Sequence, residues 1–201
     1  MQPGQDPDDE RRSIMDAALR CLADPHIGPV PMALILRTAG VSSRAFYRHF
    51  QSKDDLFLAL LDQECAEVVH RVDAVADAAT GDAADQLAAW IGAMFDIVAN
   101  TKARTQLMVV DSDEVRAAKG YRTVRERLHT AREKGLAEIL RRGRDDGSFP
   151  LTDPDLDAMA INAVVSRVLG GQTSDDPERL KQAQVATLDF AFRAVGALGR
   201  T

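Results

Sequence analysis

The chain has 201 residues, enough to bury a core, and 45% of them are apolar or aromatic while 28% are charged, a balance that excludes wholesale disorder. No apolar run approaches the roughly 18 residues a membrane-spanning helix needs, the longest being Leu56–Leu61, and two cysteines without a Cys-x-x-Cys spacing make no disulfide framework. The formal net charge of −6 repels nucleic acid and anionic membranes unless positive charge is concentrated locally.

The opening MQPGQDPDDE is acidic and polar, unlike a signal or transit peptide, so it is expected to be a frayed arm on a cytoplasmic, soluble protein. Apolar residues at helical spacing recur from there almost to the end, and strand-like alternation is nearly absent. A first helix is predicted over about 8–24, with Ile14, Ala17, Ala18, Cys21 and Leu22 on one face and Pro25 at its end. Pro31 suits the first position of a short second helix, where its missing N–H costs nothing, and that helix runs to Gly40. A turn, Gly40-Val41-Ser42, leads to a third helix through His49. Ser52 can cap a long fourth helix, with Asp55 three residues on in a capping-box-like arrangement. Five more helices are predicted over roughly 82–99, 103–111, 114–144, 154–170 and 177–197. Asp153-Pro154 and Asp176-Pro177 are start signals, and Gly120 and Gly135 suggest that the 114–144 helix is bent or starts later. The expected fold is all-α with about nine helices. A three-helix, helix-turn-helix head over 1–53 is joined by the stiff fourth helix to a helical body over 54–201.

Function is written most densely between Pro25 and Lys53. This window contains no Asp or Glu but holds Arg37, Arg44, Arg48 and Lys53, together with His49. Four cations on two short helices joined by a glycine turn fit a helix-turn-helix, whose second helix enters the major groove. Phe46 and Phe50 fill the inward positions. Ser42, Ser43, Arg44, Tyr47, Arg48 and His49 are left facing outward, as donors that phosphates and base edges accept.

The text AGVSSRAFYRHFQSKDDL (39–56) resembles the TetR family of transcriptional repressors, whose pattern is A-G-V-S, then aromatic-Tyr-x-His-Phe, then Ser/Asn-Lys-Asp/Glu and a hydrophobic residue. Ile14, Ala17-Ala18-Leu19 and Ile35 fall at the family's spacing, so the resemblance covers about 45 residues, Arg11 to Leu56. It implies that Tyr47 and His49 touch DNA and that Lys53 binds phosphate at the start of the fourth helix. It also implies that Ser42, Ser43 and Arg44 set sequence preference. The chain departs from the pattern at His26-Ile27, at Val30-Pro31 where a Thr/Ser pair is usual, at Ala33 and at Ala45. By the resemblance, the departures before Ala45 remove phosphate contacts from the second helix, and Ala45 removes a hydroxyl contact from the third.

In the body, Trp90, Met94 and Val98 form a stripe, with Met108 on an expected neighbour and Asn162 and Ser166 as polar residues inside an apolar helix. By composition alone, ordinary core packing explains these residues better than a pocket does. The resemblance implies a pocket for a small apolar or amphipathic effector, with Trp90, Met94, Met108 and Asn162 as candidate lining residues. The last two helices carry stripes that include Ala160 and Val164, and Leu188 and Phe192. They are the candidate homodimer interface, because two such helices from each chain make a four-helix contact, as TetR-like proteins do. A twofold dimer would place two recognition helices on a palindromic double-stranded operator. The scattered histidines and carboxylates offer no catalytic set, metal site or cofactor fingerprint. The expectation is a ligand-responsive repressor rather than an enzyme. The alternative is a helical small-molecule sensor that does not bind DNA.

Overall fold

The computed structural model describes residues 7–171 and 176–197, and among these it contains ten helices and no strand. Met1–Asp6, most of the expected opening arm, lie outside the described residues, and Pro7–Glu10 already belong to the first helix. The all-α expectation holds. The count rises to ten because the stretch expected as one helix over 114–144 is a single turn followed by a long helix beginning at Tyr121. Gly120 between them takes φ +105°, a conformation that suits glycine and ends the short turn.

The chain packs as two compact units. The first contains residues up to Cys65 together with Thr105–Arg125. Its helices are α1 (Pro7–Ala23), α2 (Met32–Ala39), α3 (Ser43–His49), the first half of α4 (Lys53–Ala78), the end of α6 (Thr101–Val110), α7 (Asp113–Arg116) and the start of α8 (Tyr121–Asp145). Asp8, Asp9 and Glu10 occupy the first turn of α1, where the positive end of the helix dipole favours them. Ile14, Ala17, Ala18, Ile35, Phe46, Phe50, Leu56 and Leu61 are all buried, and the apolar stripe of α1 packs against α2 and α3. Ser52 caps α4 by accepting the Asp55 N–H at 3.1 Å. Asp55 returns its carboxylate to the Gln51 N–H rather than to Ser52, so the box closes one residue early.

The second unit contains Ala66–Arg104 and the described residues from Glu126 onward. It includes α5 (Ala83–Ala99), α9 (Pro154–Gly170) and α10 (Pro177–Val195). Asp82 starts α5 with a reciprocal capping box with Asp85. Asp153 and Asp176 each accept backbone N–H groups at the starts of α9 and α10, with proline in the first turn of both. Helix α10 packs on α5 and α9, and the core holds Leu87, Trp90, Ile91, Phe95, Leu136, Leu140, Phe149, Ile161, Val165 and Val195. Gly135 does not interrupt α8. A Cβ there would lie 2.5 Å from the Asp73 carboxylate, so glycine permits a close approach of α4. No helix among the described residues is long and apolar enough to cross a membrane.

Candidate nucleic-acid interface

The turn between α2 and α3 is set by two local devices. Gly40 takes φ +70° and its N–H reaches the Arg37 and Leu36 carbonyls, closing α2. Ser42 then starts α3, its hydroxyl accepting the Ala45 N–H at 3.2 Å. The Ser42 side chain is therefore engaged in the fold, although the residue is exposed.

Helix α3 has a sharply divided surface. Ala45 and Phe46 are buried, with Phe50 beneath its end, while Ser43, Arg44, Tyr47 and Arg48 face solvent. Tyr47 is 65% exposed and stands edge-on to Phe46, ring centres 5.3 Å apart. Its ring thus touches the core through Phe46 while most of the residue is open to solvent. Arg44 and, on α2, Arg37 are exposed, and neither makes an ion pair with another described residue.

The remaining cations of the window are already partnered. Arg48 reaches both oxygens of Glu10, at 2.9 and 2.7 Å, and His49 Nε2 lies 2.7 Å from the same carboxylate. Hydrogen bonds from these two residues hold the Glu10 carboxyl below the usual carboxylate range. Lys53 Nζ donates to the Val30 carbonyl at 2.5 Å and to the Glu114 carboxylate, and it sits 5.1 Å from the centre of the Phe57 ring. The same carboxylate accepts the Val30 N–H, at 3.1 and 3.0 Å. Of the six residues expected at DNA, Ser43, Arg44 and Tyr47 therefore stand open, Ser42 is a cap, and His49 and Lys53 are tied down. Sequence reasoning missed Glu10 and Glu114. Glu114 is 61 positions from Lys53, and no local spacing marks such a pairing.

The candidate effector residues divide between the units. Trp90, Met94 and Asn162 are buried in the second unit, whereas Met108, on α6 in the first, is 68% exposed. Helix α6 buries Val109 and Val110 instead, which turns Met108 outward. Asn162 is 1% exposed; its amide donates to Glu133 Oε1 at 3.1 Å and lies 3.5 Å from His129 Nδ1. Arg132 also points at His129 Nδ1, at 3.0 Å, and at the Ser166 hydroxyl. The Asn162 carbonyl oxygen and the Trp90 N–H are buried without a hydrogen-bond partner. Among the described residues, no group of three or more His, Cys, Asp or Glu is placed to hold a metal ion.

On α9 and α10, Ala160 is exposed, Val164 and Leu188 are half-buried, and Phe192 is 8% exposed. Phe192 lies on the inward face of α10 with Ala191 and Val195, so it belongs to the protomer's own core. The large apolar side chains left outside are Leu156 and Met159 on α9 and Val185 on α10.

The pattern describing bacterial regulatory proteins of the tetR family matches residues 14–60, the segment that forms α1 to α3 and the start of α4. The head segment is of the TetR-family type. Over 51 residues it is 47% identical to an uncharacterised HTH-type transcriptional regulator, YwcC, of Bacillus subtilis (strain 168). That match covers 25% of this chain and spans about a quarter, 23%, of the relative's length. Similarity of fold extends much further. A putative transcriptional regulator from Pseudomonas aeruginosa PAO1 superposes with a TM-score of 0.76 at 19% identity, over 96% of this chain and 95% of that one. AibR, solved in complex with isovaleryl coenzyme A and operator DNA, superposes with a TM-score of 0.67 at 15% identity, over 90% of this chain and 97% of that one. At these identities the likeness outside the head is one of fold alone.

Proposed function

We propose that the chain is a ligand-responsive transcriptional regulator, a repressor, acting in the cytoplasm as a homodimer on a palindromic operator. Residues 1–53 are the DNA-binding part and 54–201 the effector-binding and dimerisation part. The observation that carries the reading is the exposed face of α3. Ser43, Arg44 and Tyr47 project from a helix whose other side is locked into the core, with unpaired Arg37 beside them on α2. A guanidinium on an exposed recognition helix can bridge guanine O6 and N7, and a phenol can donate to a phosphate oxygen. The TetR-family match over residues 14–60 and the likeness of fold to AibR support the same assignment.

Selection of duplexes from a random pool tests this reading. The expected product is a palindrome whose half-sites are about one helical turn, roughly 34–36 Å, apart. Affinity for it should fall steeply with salt as counterions are released. Failure to enrich any sequence, with binding absent even at low salt, would instead favour the helical sensor without DNA binding.

The effector is a small apolar or amphipathic molecule bound in the second unit, near the buried Trp90, Met94 and Asn162. The unpartnered Asn162 carbonyl and Trp90 N–H are the polar groups available to orient it. Trp90 is the chain's single tryptophan and is fully buried, so its emission is a specific reporter. Titration with a panel of acyl thioesters and amphipathic carboxylates should shift or quench that emission in a saturable way. The ligand that does so should also change operator affinity, since an effector acts through its different affinities for two conformations. An emission change with no effect on DNA binding would remove the ligand-responsive part of the reading.

A further inference from the structure

Lys53 is the residue that the sequence assigns most directly to phosphate, and its surroundings argue against that role. Its ammonium is shared between the Val30 carbonyl, the Glu114 carboxylate and the face of Phe57. A lysine so placed has its charge neutralised internally, and turning it to DNA would leave Glu114 half-buried and unpaired.

The same contacts answer a different need. Val30 is 1% exposed and directly precedes Pro31, the residue that opens α2 without any side-chain cap. Both backbone polar groups of Val30 must find partners inside the protein. Glu114 accepts its N–H through both oxygens, and Lys53 donates to its carbonyl. The ion pair between the two side chains closes the ring. Three segments distant in sequence, the start of α2, the start of α4 and the single turn α7, are thereby fixed to one another within the first unit. A neighbouring contact reinforces the arrangement: Asp54 accepts the Lys119 N–H at 3.1 Å, just beyond α7.

We propose that Glu114 and Lys53 are a positioning pair that sets the start of α2, and with it the helix-turn-helix, and that Lys53 is not a phosphate contact. This rests on the DNA-binding reading above and deepens it. The chain passes between the two units within α4, within α6 and within α8. Helix α7 lies between the last two crossings, so Glu114 gives the α6–α8 segment its own connection to the head, separate from the long fourth helix.

Salt dependence separates a brace from a phosphate contact. Operator affinity is to be measured across a salt series for full-length wild type, Lys53→Met and Glu114→Ala, using the duplex selected from the random pool and a scrambled duplex of equal length. Loss of charge-assisted hydrogen bonds at the brace should weaken the selected duplex about tenfold or more in each variant. Scrambled-duplex binding and the slope of log affinity against log salt should stay at wild-type values. Glu114→Gln keeps an acceptor for the Val30 N–H and for Lys53, so it should lose less than either and serves if Glu114→Ala fails to fold. The proposal is overturned by a slope shallower by about 0.9 in Lys53→Met, the signature of one lost phosphate contact. It is equally overturned if Glu114→Ala or Glu114→Gln binds more tightly with a steeper slope, if no variant differs from wild type, or if both duplexes lose affinity in step with the folded fraction measured by circular dichroism. If wild type itself binds no duplex, the DNA-binding reading fails instead.

Discussion

Arg44→Ala combined with Tyr47→Ala is expected to reduce operator binding to the level of random DNA while leaving the fold and the dimer intact. A bidentate arginine–guanine contact is worth about 1–3 kcal/mol of discrimination, and a phenol donating to a charged phosphate oxygen contributes on the order of 1.5–3 kcal/mol. A twofold dimer loses each contact twice, so the combined loss, about 5–12 kcal/mol, is comparable to the usual gap between specific and non-specific binding, about 4–10 kcal/mol. The fold is spared because Arg44 has no partner to abandon and Tyr47 is mostly exposed. One position earlier the outcome reverses. Phe46 is fully buried, and Phe46→Ala should cost about 3–5 kcal/mol of stability, unfolding the head before any question of recognition arises. Gel shift on the selected palindrome, with thermal melting as control, distinguishes the two. A double variant that still selects the palindrome would mean that α3 does not read it.

The contrast between Phe46 and Tyr47 was legible in the sequence, because the helical period puts Phe46 and Phe50, four residues apart, on one face and turns Tyr47 away from it, without knowledge of what packs there. The same holds for the aspartates that start α9 and α10 and for the glycine that closes α2, since caps act within a few residues. Contacts between distant segments were not legible. An acid-free window reads as a cationic island, yet Glu10 and Glu114 bring carboxylates to Arg48, His49 and Lys53 from outside the window. Net charge along the sequence therefore overstated the free positive charge of the head. Helix faces in the body were ambiguous for a related reason. Helix α10 has apolar residues on more than one side, and only its packing on α5 and α9 decides that Phe192 points in and Val185 out. Met108 followed the same logic, displaced from the core by Val109 and Val110.

Met159→Glu together with Leu156→Glu is expected to convert the dimer to monomers and to abolish tight operator binding without disturbing the head. Leu156, Met159, Ala160 and Ala163 recur at the three- and four-residue steps that place side chains on one helix face, and all four are exposed in the protomer. Leucine and methionine so exposed, with Val185 on α10, are the apolar surface from which we infer the interface, and the alanines allow two helices to approach closely. Ala160 belongs to this stripe, and half-buried Val164 flanks it. In a twofold contact each residue near the axis faces its own copy or a close neighbour. Two glutamates per chain would therefore set four like charges against one another in a desolvated contact, a cost well beyond that of simply losing two apolar side chains. Operator affinity should then drop by about 10²- to 10⁴-fold, the usual gain from linking two sites, since each freed head still reads a half-site. Sedimentation velocity reports the first effect and gel shift the second. A variant that sediments as a dimer places the contact on another face, whereas a monomer with undiminished affinity shows that one head suffices for the operator.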